Sequence, residues 1–220
     1  MKKTFLLVLC YSAITAFAQN GFFLQPEVGV GMSNIIQKHF SYAKQHSIIT
    51  FNPAIDIGYQ FHNWRFQSGI EYLKTGYELD HATYMANFGD WLNGKVVINY
   101  EHILVPVKLS YKIKLNKKWS FYPSAGAYFS YNYRFTMKAF DAPVLNTSHF
   151  NRYSCFATAG LNIECQLTQR LALSISPVCD YMLSSIYKES EMKFNSYAVL
   201  LQGGIVWHFK KKQKSRNSIQ

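Results

Sequence analysis

The sequence predicts an all-β fold, an eight-stranded antiparallel up-and-down barrel that crosses a membrane. Three observations carry that prediction. Apolar residues recur with period two along most of the chain. Short polar turns alternate with long connections. Aromatics make up 17% of the 220 residues and charged residues only 16%. Beyond the first twenty residues no apolar run approaches the ~18 that a spanning helix needs.

The strands follow in order. "FFLQPEVGVGM" opens the first. In "IITFNPAIDIGYQF", Ile49, Phe51, Pro53, Ile55, Ile57, Tyr59 and Phe61 share one face, with Thr50, Asn52, Asp56 and Gln60 opposite. After "HN" the alternation resumes with Trp64, Phe66, Ser68, Ile70 and Tyr72 against Arg65, Gln67 and Glu71. Two such runs about a two-residue polar turn predict a hairpin. "HILVPVKLSYKI" aligns Ile103, Val105, Val107, Leu109, Tyr111 and Ile113 against His102, Lys108, Ser110 and Lys112. "WSFYPSAGAYFSYNY" aligns Trp119, Phe121, Phe129, Tyr131 and Tyr133 against Ser, Tyr, Gly and Asn. "SCFATAGLNIECQL", "LALSISPVCDYML" and the closing "YAVLLQGGIVWHF" complete the eight. Turns are expected at 62–63, 115–118 and 168–170, and long loops at 33–47, 76–96, 135–149 and 184–196. In a transmembrane barrel the short turns face the periplasm and the long loops face outside. An even strand count then places both mature termini in the periplasm.

The ends of the chain read differently. Lys2 and Lys3, an apolar run from Phe5 to Ala16 and Ala16-Phe17-Ala18 form a signal peptide, expected to be removed as residues 1–18. The barrel is expected over 19–209, followed by a basic periplasmic tail, "KKKQKSRNSIQ", over 210–220. The mature chain carries 21 basic and 12 acidic residues, and five of the basic ones lie in the tail. An exported chain without a nucleic-acid motif is not expected to bind nucleic acid. Cys155, Cys165 and Cys179 are an odd set without metal-ligand spacing, so neither a disulfide framework nor a zinc site is expected.

The face composition decides between a soluble barrel of lipocalin type and a membrane barrel. A soluble barrel carries Lys, Glu and Asp outside and an apolar interior. Here the polar face is mostly Ser, Thr, Asn, Gln and Gly, and aromatics bunch near the strand ends of the apolar face. Two aromatic girdles flanking an aliphatic band fit a lipid-facing exterior. The polar face then lines the lumen. That places Glu27, Asp56, Glu71, Glu164 and Asp180 inside with Arg65, Lys108, Lys112 and Arg134. An eight-stranded interior is just filled by side chains, so these charges are expected to form a salt-bridged plug. No catalytic, cofactor or metal residue is assigned. A lipid-edge hydrolase would need a base beside a nucleophile; His39 and Ser41 in "KHFSY" have that spacing but no orienting acid. A narrow porin is the other alternative. Loop aromatics Tyr42, Tyr77, Trp91 and Phe140 are candidate contacts for an outside partner.

At "HILVPVKLSYKI", "SAGAYFSY" and "ATAGLNIE" the chain resembles small outer-membrane barrels of the Bacteroidota, the porin-like group that includes PorT-type proteins. The resemblance spans the mature chain. It implies an OmpA/OmpX-like outer-membrane barrel and carries over no catalytic residue; PorT-type members are tied to protein secretion. Such barrels resemble one another in ending on an aromatic that their assembly machinery reads. Trp207 and Phe209, on the strand that must pair with the first to remove the sheet edges, are the candidate assembly signal. Partners are therefore expected to be outer-membrane lipids, the assembly machinery and a further extracellular or periplasmic partner.

Overall fold

A computed structural model describes residues 21–37, 44–85, 91–139, 142–144, 151–185 and 194–209. Eight long strands form a closed antiparallel ring: β1 (Phe22–Gln37), β2 (Lys44–Phe61), β3 (Trp64–Met85), β4 (Trp91–Tyr111), β6 (Trp119–Ala139), β8 (Tyr153–Gln166), β9 (Leu171–Met182) and β10 (Phe194–Phe209). Two short pieces, β5 (Ile113–Lys114) and β7 (Ala142–Val144), pair with β6. Every neighbour in the ring is the next long strand in sequence, and β1 pairs with β10 to close it. The closing register sets Phe22 against Phe209 and Leu24 against Trp207, with the two phenyl rings 6.1 Å apart.

The apolar face points outward. Ile49, Met32, Ile70 and Phe129 are all more than 60% exposed. Such a band would be an aggregation surface in water, and in hydrocarbon it is the required solvent-facing side. Closure leaves no free edge, so the backbone bonds run from strand to strand. From Trp119 to Tyr131 the band spans about 40 Å along the strand, or roughly 30 Å across a bilayer once strand tilt is included.

Prolines locate the gaps in the ladders. Pairing skips residues 25–26 opposite 205–206, residues 69–70 opposite 105–106, and residues 161–162 opposite 176–177. These gaps fall at Pro26, Pro106 and Pro177, which have no N–H to donate. Pro123 lies just beyond the last pair of the β4–β6 ladder. The widest gap is between β2 and β3. Pairing stops after Ser47–Tyr77, resumes at Ala54–Glu71 with a shift of one residue, and Pro53 sits at its edge. Lumen side chains splice this gap: the Asn52 amide donates to the Tyr72 carbonyl at 2.8 Å, Thr50 Oγ1 donates to the Lys74 carbonyl, and the Gly76 amide donates to Ser33 Oγ at 3.1 Å.

Two of the expected long loops, 33–47 and 76–96, are much shorter than the alternation suggests, and the 135–149 connection starts later. β1 continues to Gln37, β3 to Met85 and β6 to Ala139, while β2 starts at Lys44 and β4 at Trp91. At 22 residues β3 is about 70 Å long, roughly twice what a bilayer requires. The 184–196 connection, between β9 and β10, stays close to its expected bounds, and the one between β6 and β8 keeps nearly its expected length. The reason is a polarity inversion. Beyond Tyr72 the outward charged residues of β3 become Lys74, Glu78 and Asp80, and the inward ones become Leu73, Thr75, Tyr77 and Leu79, apolar but for Thr75. In this extension the barrel has a wet exterior and a greasy interior, so the period-two pattern reverses and then blurs.

Candidate functional site: the barrel interior

The interior is layered. Next to the tight turns, Arg65 of β3 is fully buried and makes a two-pronged pair with Glu164 of β8; its Nη2 lies 3.2 Å from Glu164 Oε2 and 3.2 Å from Gln60 Oε1. Its guanidinium lies 3.8 Å from the Tyr122 ring centroid and 4.4 Å from that of Phe23. Bidentate pairing and stacking are what a planar guanidinium offers and an ammonium does not. Gly58 makes room for the stack, because a Cβ there would come within 2.3 Å of the Phe23 ring.

The next layer is built around Lys108 of β4. Its Nζ is 2.8 Å from Asp56 Oδ2 and 2.6 Å from Glu71 Oε1. Amides extend the network around the wall. Gln202 donates to Asn52 Oδ1 at 2.6 Å, Gln25 donates to Glu27 Oε1 at 2.6 Å, and Ser110 donates to Gln67 Oε1 at 3.0 Å. Asp180 is fully buried on β9, in register with Thr158. A cavity of about 20 Å³ remains beside Lys108 and Tyr128, room for about one water molecule.

Above this lies His102, also fully buried. Its Nε2 is 2.8 Å from Thr75 Oγ1, and its Nδ1 is 3.1 Å from Ser130 Oγ and also contacts Asn132 Oδ1. The Phe156 ring stands edge-on to it at 5.4 Å. The last layer is apolar, formed by Ile35, Leu73, Tyr77, Ile98, Tyr100 and Phe135.

Of the nine charged lumen residues expected from sequence, seven, Glu27, Asp56, Arg65, Glu71, Lys108, Glu164 and Asp180, are buried inside. Arg134 is not. Glu101 pairs with Arg134 but His102 pairs with Asn132, so Tyr133 is an extra residue in β6. That bulge shifts the alternation by one, turning Phe135 inward and leaving Arg134 exposed. Lys112 is half-buried at the turn-end mouth, its Nζ 5.6 Å from the Tyr122 ring. The near-balance of charge expected inside is therefore corrected to five buried carboxyls against two buried cations. The lumen is also polar only in part, since an apolar layer caps it. Tyr77 belongs to that layer and is no loop contact; Tyr42, Phe140, His39 and Ser41 lie outside the described residues, as does the Trp91 side chain. His102 is the interior residue that sequence reasoning left unselected, although its place opposite Ile103 marked it as inward-facing. Trp207 and Phe209 are half-exposed on the exterior of the closing strand.

Among the described residues no group of three or more His, Cys, Asp and Glu side chains is placed to hold a metal. Cys155, Cys165 and Cys179 are free and lie on the outward face.

A closed, eight-stranded ring with an apolar exterior and a packed interior defines a small transmembrane barrel. The family described as outer membrane protein beta-barrel domain matches residues 17–178, and the chain belongs to it. Its architecture is similar to that of Neisserial surface protein A, at 12% identity and a TM-score of 0.52, covering 84% of this chain and 96% of that one. The outer membrane protein OprG and the N-terminal barrel of OprF, both from Pseudomonas aeruginosa, align at TM-scores of 0.47 and 0.45 with 11% and 12% identity. They cover 88% and 87% of this chain, and 98% of each of those chains. No curated protein matches the sequence. The chain is thus an outer-membrane β-barrel.

Proposed function

We propose that the protein is a non-enzymatic, non-conducting barrel that serves the envelope as a structural, binding or secretion-associated component through its extended hairpins. The observation that carries this reading is the filled interior: Arg65–Glu164, the Lys108 cluster, His102 and the apolar layer occupy successive levels. Water-filled conduction needs a continuous polar path, and eight strands enclose too little space for one once side chains meet. The finer reading is a porin-like barrel of the Bacteroidota with its signal peptide removed. Its termini and basic tail face the periplasm, and its partners are outer-membrane lipids, the assembly machinery and a protein met outside or in the periplasm. The likeness in "HILVPVKLSYKI" and "ATAGLNIE" supports it.

Planar-bilayer recording tests the central claim. The expected trace has no discrete conductance steps, and regular unitary steps would replace this reading with the narrow porin. Incubating the folded barrel with lipid A, with no acyl release expected, tests the hydrolase alternative.

A further inference from the structure

The end of the barrel that carries the tight turns exposes charge of one sign. β5 presents Lys114, the turn after it presents Lys117 and Lys118, and the turn after β8 presents Arg170; all four are exposed. These turns adjoin. The Gln166 amide donates to the Lys118 carbonyl at 2.7 Å, and Trp119 pairs with Cys165. The nearest acid, Glu164, is buried and committed to Arg65. Interleaved with the cations, Ile113, Leu115 and Leu167 are 46%, 57% and 52% exposed. Just inside them lies the aromatic girdle containing Trp64, Trp119 and Trp207.

We propose that this cationic collar binds the phosphate headgroups of anionic lipids. A soluble polyanion would satisfy the lysines but would leave the leucines in water. A lipid interface satisfies both, because apolar stems and tips enter the acyl boundary while ammonium groups reach the phosphates. The girdle fixes the depth, since Trp rings settle at headgroup level. Attraction decays within a Debye length, ~10 Å, and the collar lies directly beyond the rings. The inference rests on the chain being a membrane barrel, and not on which end faces the periplasm.

A symmetric bilayer makes the test independent of orientation. In a Trp91→Phe background the remaining tryptophans are Trp64, Trp119 and Trp207, all at the collar end. The barrel is folded into phosphatidylcholine vesicles doped with brominated phosphatidylglycerol or brominated phosphatidylcholine. Per mole of brominated lipid, the anionic form is expected to quench about twofold more strongly or better. The ratio should fall towards one with added salt and in K114Q/K117Q/K118Q/R170Q. Heat-modifiable migration on a gel verifies that each variant is closed, and K117Q/R170Q supplies a milder change with an intermediate ratio. A ratio near one in the parent, or an unchanged ratio in the collar variants, overturns the proposal. So does a ratio lost on removal of residues 210–220 with the collar intact, which would assign the preference to the tail. Quenching by neither lipid would instead overturn the membrane reading itself.

Discussion

Arg65 keeps its charge inside the barrel because Glu164, Gln60, Phe23 and Tyr122 surround its guanidinium. Replacing one partner of a buried ion pair strands the other, at a cost of about 3–5 kcal/mol. Arg65→Met is therefore expected to lower the urea midpoint of unfolding, followed by gel mobility of the folded form. Arg65→Met with Glu164→Gln should recover most of the loss, because no lone charge remains. If the double variant is as unstable as the single, stacking rather than pairing holds the layer. His102→Leu leaves Thr75, Ser130 and Asn132 without their shared partner. Its expected penalty is about 1–3 kcal/mol in the same assay. Both layers were partly legible in the sequence, since strict alternation in β3, β4 and β8 assigns Arg65, Lys108, His102 and Glu164 to one face. Which acid meets which base was not legible, because pairing across a lumen depends on register and strand stagger.

β2 and β3 form the weakest joint of the wall. Their ladder is absent from residue 48 to residue 53 of β2, and side chains of Thr50, Asn52 and Ser33 bridge the space. Amide hydrogen exchange is expected to be faster over Tyr72–Gly76 than over Ser124–Ser130 of β6, which is paired on both sides. Equal protection in the two segments would show that the side-chain splice is as tight as a ladder. Pro53→Val restores a donor and is expected to slow exchange in that segment. At the other seam, β1 and β10 meet with Phe22 against Phe209. Phe209→Ala is expected to reduce outer-membrane yield, whereas removing residues 210–220 should leave a closed barrel. Equal yields from Phe209→Ala and the parent would remove the assembly-signal assignment. The membrane-embedded strands were legible because hydrocarbon outside and polar groups inside enforce period two. Arg134 and the hairpin extensions were not. A single bulge residue, Tyr133, reverses the facing of everything after it, and the inverted polarity of the extensions imitates loop composition.

As a whole the molecule is two barrels in series that share one set of strands. The lower follows the rules of a lipid-embedded protein, and the upper those of a soluble one with its own apolar core. The Tyr72, Tyr131, Tyr133 and Tyr153 rings lie on the exterior where one set of rules gives way to the other, Tyr131 and Tyr153 being 5.6 Å apart. Closure of both parts predicts a heat-modifiable gel shift and resistance of the β3–β4 hairpin to brief proteolysis. Rapid cleavage within residues 73–80 would show that the extension is not folded as described.

The length of that extension sets a height. From Lys74 to Met85 β3 runs twelve residues past the girdle, about 37 Å along the strand or nearly 30 Å upright after tilt. Headgroups occupy only about 5–8 Å on each side of the hydrocarbon. The described end of β3, paired there to β4, is therefore lifted some 20 Å clear of them on a stiff, hydrogen-bonded mast. The mast presents its paired residues at a fixed elevation above the lipid, with the entropy of ordering them already paid on folding.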